Sequence, residues 1–133
     1  MAKNNITINE IITKSFEALK SAGYEPIYSD AEHTEIECDV QGTTFRVYEL
    51  SEDLFGFAAE FVLSRTLDES ERAKIAEVLD NEEVVVFEYM VFSNEAIILS
   101  SGFPNSFYDV EIIADAIATL TAKGGIAEAI KTL

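Results

Sequence analysis

The chain holds one histidine, His33. Imidazole is the side chain best suited to moving protons near neutral pH. Asp30, Glu32 and Glu35 stand close to it in sequence, so the same stretch offers oxygen and nitrogen ligands for a metal. Their spacing matches no standard metal loop. No serine nucleophile with a motif context accompanies the histidine, and Asp30 and Glu32 are residues of the kind that build turns. His33 therefore reads as a solvated turn residue. Cys38, the single cysteine, alternates with Glu37 and Asp39. Neighbouring carboxylates raise a thiol pKa and blunt its reactivity, and its alternation points it inward beside Phe45. It reads as a small buried hydrophobe.

The other chemical signals are weaker. Asp80-Asn81-Glu82-Glu83 lacks the glycine and the terminal acid of a calcium loop. Gly124-Gly125 follows a helical segment, whereas a phosphate-binding glycine loop opens one. Paired carboxylates for glycoside chemistry could be drawn from 25 acids in any combination, so no pair is singled out. The sequence predicts a non-enzymatic protein with no catalytic, cofactor-binding or metal residues.

Charge is the least ordinary property: 25 acidic against 9 basic side chains, a formal net of −16. That field repels bare nucleic acid and anionic membrane surfaces and steers a basic protein partner inward. It also keeps a small protein soluble, and both readings stand. The acids occur in ones and twos, as on folded surfaces. With 48% apolar residues in 133, the expectation is a single globular domain over residues 1–133. Residues 1–6 read as a flexible N-terminus and 126–133 as a short terminal helix or a frayed end. The polar start shows no signal peptide, no apolar run is long enough to span a bilayer, and a lone cysteine fits a reducing compartment. A cytoplasmic location is expected.

The elements follow from periodicity. Thr7 and Glu10 have capping-box spacing, Ile6 and Ile11 that of a hydrophobic staple, and Ile8, Ile11, Ile12, Phe16 and Leu19 form one stripe. Gly23 stands where a left-handed residue ends a helix, which predicts helix over 8–22. Ile27–Ser29 reads as a short strand. Glu35–Val40 alternates, with Ile36, Cys38 and Val40 on one face and Glu35, Glu37 and Asp39 on the other. A two-residue Gln41-Gly42 turn would oppose Val40 to Thr43, Cys38 to Phe45, Ile36 to Val47 and Glu37 to Arg46. After a turn at Ser51-Glu52-Asp53, Leu54–Leu63 reads as a strand with Phe55, Phe57, Ala59, Phe61 and Leu63 on one face. Gly56 there marks a bulge or a close approach. The second helix begins at Thr66 or Asp68, each three residues before a glutamate, and carries a narrow stripe of Leu67, Ile75, Val78 and Leu79. Pro104-Asn105-Ser106 is expected to cap the third helix, striped by Val110, Ile113, Ile117 and Leu120 and ended by Gly124-Gly125.

The longest β-branched and aromatic concentration is Glu83–Phe103, which reads as a hairpin broken at Ser93-Asn94-Glu95. Val84–Phe92 is apolar on both faces, which suits a central strand covered on two sides. The expected fold is α+β: a mainly antiparallel sheet of five to six strands with three helices, in the order α-β-β-β-β-α-β-β-α. The first and third helices are available for one face. The lean second helix leaves the other to a partner, so Val85, Phe87, Tyr89, Val91, Ile75 and Val78 are the candidate partner or dimer interface. The face of Glu35, Glu37 and Asp39 is either the wet side of a sheet or an acidic docking face for a Lys/Arg-rich segment.

Element order, size and acidity together resemble the type III secretion chaperone-like fold and, within it, the YbjN-like family. The matching stretches are Ser21–Tyr24 (SAGY), Val40–Thr43 (VQGT), the second helix, the hairpin VVVFEYM…AIILS and the third helix, about residues 8–122. The long strand Leu54–Leu63 departs from that pattern. The resemblance implies a small acidic homodimer pairing through the second helix and the strand after it, with no catalytic residues to carry over. The expected function is thus a non-enzymatic acidic protein-binding module, chaperone-like or regulatory, whose partner is a protein or client segment, basic in keeping with the charge. The alternative is an acidic immunity or inhibitor protein, or a nucleic-acid mimic, that neutralises a basic partner.

Overall fold

A computed structural model describes residues 6–63, 65–80, 89–93, 95–122 and 126–131. Its elements are α1 (Ile8–Ser21), β1 (Ile27–Tyr28), β2 (Glu35–Val40), β3 (Thr43–Ser51), β4 (Leu54–Val62), α2 (Glu69–Asp80), β5 (Tyr89–Phe92), β6 (Ala96–Pro104), α3 (Val110–Thr121) and α4 (Ile126–Lys131). The class is α+β, as the periodicity predicts. Both ends of α1 form as their residues dictate. The Thr7 hydroxyl accepts from Glu10 N–H while the Glu10 carboxylate accepts from Thr7 N–H, closing the capping box. Ile6, assigned above to a flexible terminus, is instead buried with Ile11, since the staple needs both. Gly23 takes φ +93°, Tyr24 N–H donates to Leu19 O and Gly23 N–H to Lys20 O, the bond pair of a Schellman end.

The strands form one antiparallel sheet in the order β1-β2-β3-β4-β6-β5. Gln41 (φ +55°) and Gly42 (φ +85°) make the turn between β2 and β3. The register is the expected one: Val40 opposes Thr43, Cys38 Phe45, Glu37 Arg46 and Ile36 Val47. The bulge that Gly56 suggested lies elsewhere, between Glu49 and Ser51, and the glycine answers to a close approach.

The reading of Val84–Phe92 as a central strand is corrected. Residues 84–88 lie outside the described residues, and Tyr89–Phe92 forms β5 at one end of the strand order. Its hairpin partner β6 is the inner strand, because β6 pairs with β4 along a continuous register from Leu54–Pro104 to Val62–Ala96. Among the described residues β5 pairs from Tyr89–Ser100 to Phe92–Ile97. β6, paired with β4 on one side and β5 on the other, takes the inner position and β5 the end of the order.

One face of the sheet carries Ile36, Cys38, Val40, Phe45, Val47, Phe55, Phe57, Ala59, Phe61, Ile97 and Leu99, all buried. Ile11, Ile12 and Leu19 of α1, Ile113, Ile117 and Leu120 of α3, Ile75 of α2, and Ala127 and Ile130 of α4 join the same cluster. The helices that feed the core therefore lie on this side. α2 starts at the second of its two possible caps, with Asp68 and Glu71 bonded reciprocally at 2.9 and 3.1 Å. The expected cap of α3 is corrected. Asn105–Phe107 forms a 3-10 turn in which Asn105 donates from its backbone to Asp53 O and from its amide to Glu52 O. With Asn105 committed to the β3–β4 turn, Asp109 caps α3 by accepting from Glu111 N–H.

Candidate binding surface

Strand alternation sends the other side chains of the sheet to the opposite face. The register lays them out in rows. Glu35, Tyr48, Gly56 and Gly102 make one row; Ile27, Glu37, Arg46, Ala58 and Ser100 the next; Asp39, Thr44, Glu60, Ile98 and Val91 the third; Val62 and Ala96 the last. The exposed large apolar side chains among the described residues, apart from Phe107, belong to this face or its ends: Ile27, Leu50, Leu54, Val62, Val91 and Ile98. Val62 is 67% exposed, Val91 55% and Ile98 36%. Val91 and Ile98 are cross-strand partners, and Val62 is diagonal to Ile98.

The β2 side of this face is acidic. Arg46 lies between two carboxylates, its Nη1 2.8 Å from Glu60 Oε1 and its Nε 3.4 Å from Glu37 Oε2. The hydrogen bond to Glu60 holds the guanidinium pKa above its ordinary value. A partly exposed pair of this kind is worth only about 0–1 kcal/mol, so the triad orients side chains more than it stabilises the fold. Two carboxylates against one cation leave a negative balance, and Glu35 and Asp39 extend it. Between the acidic and apolar halves, two inner strands present small residues. The ring of Tyr48 covers Gly56, and Leu50 Cδ1 would stand 2.7 Å from a Cβ at position 102. Burial, with Glu35 nearby, raises the Tyr48 hydroxyl pKa.

The remaining chemical candidates are held in structural roles. His33 is exposed, adopts φ +58°, and stacks on Tyr28 with ring centroids 3.9 Å apart; Tyr28 stacks in turn on Phe16 at 4.6 Å. The Asp30 carboxylate accepts from the Thr34 hydroxyl and from the N–H groups of Thr34 and Glu35, and the hydroxyl bond lowers its pKa. It closes the turn that carries His33. Cys38 is buried opposite Phe45, where desolvation raises its thiol pKa. Among the described residues no group of three or more His, Cys, Asp or Glu side chains is placed to hold a metal, and no helix is long and apolar enough to cross a membrane.

Of the two candidate interface residues whose side chains are described, Val91 is exposed and Ile75 is not. Ile75 is 1% exposed, so its assignment to an interface is corrected: it fills the core. Val78 lies on α2 and Tyr89 on β5, while Val85 and Phe87 lie outside the described residues. Glu35, Glu37 and Asp39 share the opposite face, helix-free among the described residues, as their alternation predicts. Val62, Ile98 and Glu60 were missed. Their signal is the second alternating set of Leu54–Val62 and of Ala96–Pro104, a weak one because it mixes glycine, alanine and serine with isolated apolar residues. Comparison with protein-family models, curated proteins and solved structures gave no match.

Proposed function

We propose that this chain is a non-enzymatic, acidic protein-binding module whose binding surface is the helix-free face of the sheet. One observation carries the reading: the core-forming helices share one side, and the other keeps Val62, Val91 and Ile98 in solvent on the same face as the Glu35, Glu37 and Asp39 column. Contiguous exposed apolar side chains with a polar border are the usual mark of an interaction site. The side chains best suited to acid–base or thiol chemistry do not converge. His33 is spent on a turn and a ring stack, and Cys38 on the core. The homodimer implied by the family resemblance competes for the same face, since β5 would be its contact strand.

Site-directed photo-cross-linking in the native cell tests the reading. A benzophenone amino acid in place of Ile98 or Val91 should give discrete cross-linked proteins that the same group at Lys14, on the exposed side of α1, does not give. Identical products at all three positions, or none at Ile98 and Val91, would overturn it.

A further inference from the structure

Resting on that reading, we infer that the occupant of the face is an amphipathic protein segment with Lys or Arg toward β2 and apolar anchors toward β5. Two properties on one surface select it. The face changes along the strand order: carboxylates of Glu35, Glu37 and Asp39 on β2, with Ile27 of β1 exposed at their outer edge, and Val91 and Ile98 on β5 and β6. Glu60 and Ile98 meet at the boundary as direct cross-strand partners. Strands lie about 4.8 Å apart, so the acidic column stands about 14 Å from Ile98 and about 19 Å from Val91. A segment crossing the strands must place its cations and its apolar side chains that far apart, about four to six residues in an extended chain.

The charge decides among occupants. Nucleic acid and anionic lipid meet the same repulsion from a chain of net −16. A second copy would bring a second net charge of −16 against the first, with the carboxylates of both faces about 10 Å apart across the packed sheets. A wholly basic segment would leave Val62, Val91 and Ile98 wet, and a wholly apolar one would desolvate Glu60 and Arg46 without replacing their hydration. A segment carrying both kinds of side chain satisfies both halves, and its cations are steered to the face before contact.

Labelled synthetic peptides test this with the intact chain. The probes are an amphipathic leucine–lysine peptide, the leucine–glutamate counterpart, and a lysine–serine peptide of equal charge. The leucine–lysine peptide should bind, with amide shift changes concentrated at Thr44, Glu60, Val91 and Ile98. Its affinity should fall at least about fivefold in the Val62→Thr/Val91→Thr/Ile98→Thr variant, where apolar contact area is lost. It should fall comparably in Glu35→Gln/Asp39→Asn and with added salt. Asp39→Asn keeps an oxygen for the Gly42 N–H that Asp39 Oδ1 now accepts, so the turn survives. Equal binding of the leucine–glutamate peptide, equal binding of the lysine–serine peptide, or binding of none of them overturns the inference. So does a dimer in light scattering that the threonine variant dissociates, because a second copy then holds the face. Cross-links from Ile98 to a partner lacking basic segments would sink this inference and leave the proposed function standing.

Discussion

The ring of Tyr48 lies over the Cα of Gly56, its directly paired neighbour on β4, so closely that a Cβ there would stand 2.4 Å from ring atoms Cε2 and Cζ. Tyr48 thus supplies the side-chain cover that the glycine cannot, and it keeps a stretch of the helix-free face dry. Gly56→Ala should push the ring off the sheet and cost about 1–3 kcal/mol, the usual range for overpacking. Denaturant melts of the single variant and of Gly56→Ala in a Tyr48→Ala background measure it. The cost should shrink markedly without the ring. An equal cost in both backgrounds would show that the ring is not what the added methyl meets.

Ser15 and Tyr108 form the buried polar link between α1 and the segment entering α3, with their hydroxyls 2.9 Å apart. Ser15 is fully buried and the Tyr108 ring packs edge-on against Phe55. Tyr108→Phe keeps the ring and strips Ser15 of that partner, which should cost about 1–3 kcal/mol. Adding Ser15→Ala should recover part of the loss, since removing both polar groups is milder than orphaning one. Thermal melts of the two singles and the double give the coupling. Additive losses would mean the hydroxyl pair contributes nothing of its own.

What the sequence disclosed and what it withheld divide along range of interaction. Thr7 with Glu10, Leu19 with Tyr24, and Val40 with Thr43 are near neighbours whose pairing is fixed by local geometry, and each forms as expected. The place of β5 depends on a competition between β5 and β6 for β4, settled by a ladder joining residues that α2 separates in sequence. No local pattern contains that contest, so a strand apolar on both faces reads as central although β5 stands at the end of the order. The candidate surface was half legible for the same reason. Alternation along β2 places Glu35, Glu37 and Asp39, whereas Glu60 joins them only through the β3–β4 register that brings it to Arg46.

Arg65 and Glu71 are paired at the start of α2, where Glu71 also accepts from Asp68 N–H. The Arg65 bond first, then the backbone bond, hold the Glu71 carboxyl at about 2, against an ordinary 4.5. A depressed folded pKa means that what the carboxylate contributes to stability is complete above about 4.5 and is lost as pH falls through about 2. Carboxyl-carbon NMR should find the Glu71 midpoint near the bottom of that window. Arg65→Gln should carry it part of the way back, with the Asp68 bond remaining. A midpoint unmoved by Arg65→Gln would assign the whole shift to the helix cap.

The lean second helix and the doubly apolar hairpin predict one interface for Ile75 and Val91, and burial separates them at 1% against 55% exposed. Ile75 sits in the same cluster as Ala127 and Ile130, so truncating it opens a cavity between helices. Ile75→Ala should cost about 2–5 kcal/mol in chemical denaturation. Val91→Thr removes apolar surface that already faces water while keeping the β-branched shape a strand prefers, and should change stability by no more than about 0.5 kcal/mol. The pair discriminates because only one side chain can be needed by the isolated chain. A large loss at Val91 in dilute monomer would mean that this side chain is covered within its own chain, and the helix-free face would then have to be redrawn without it.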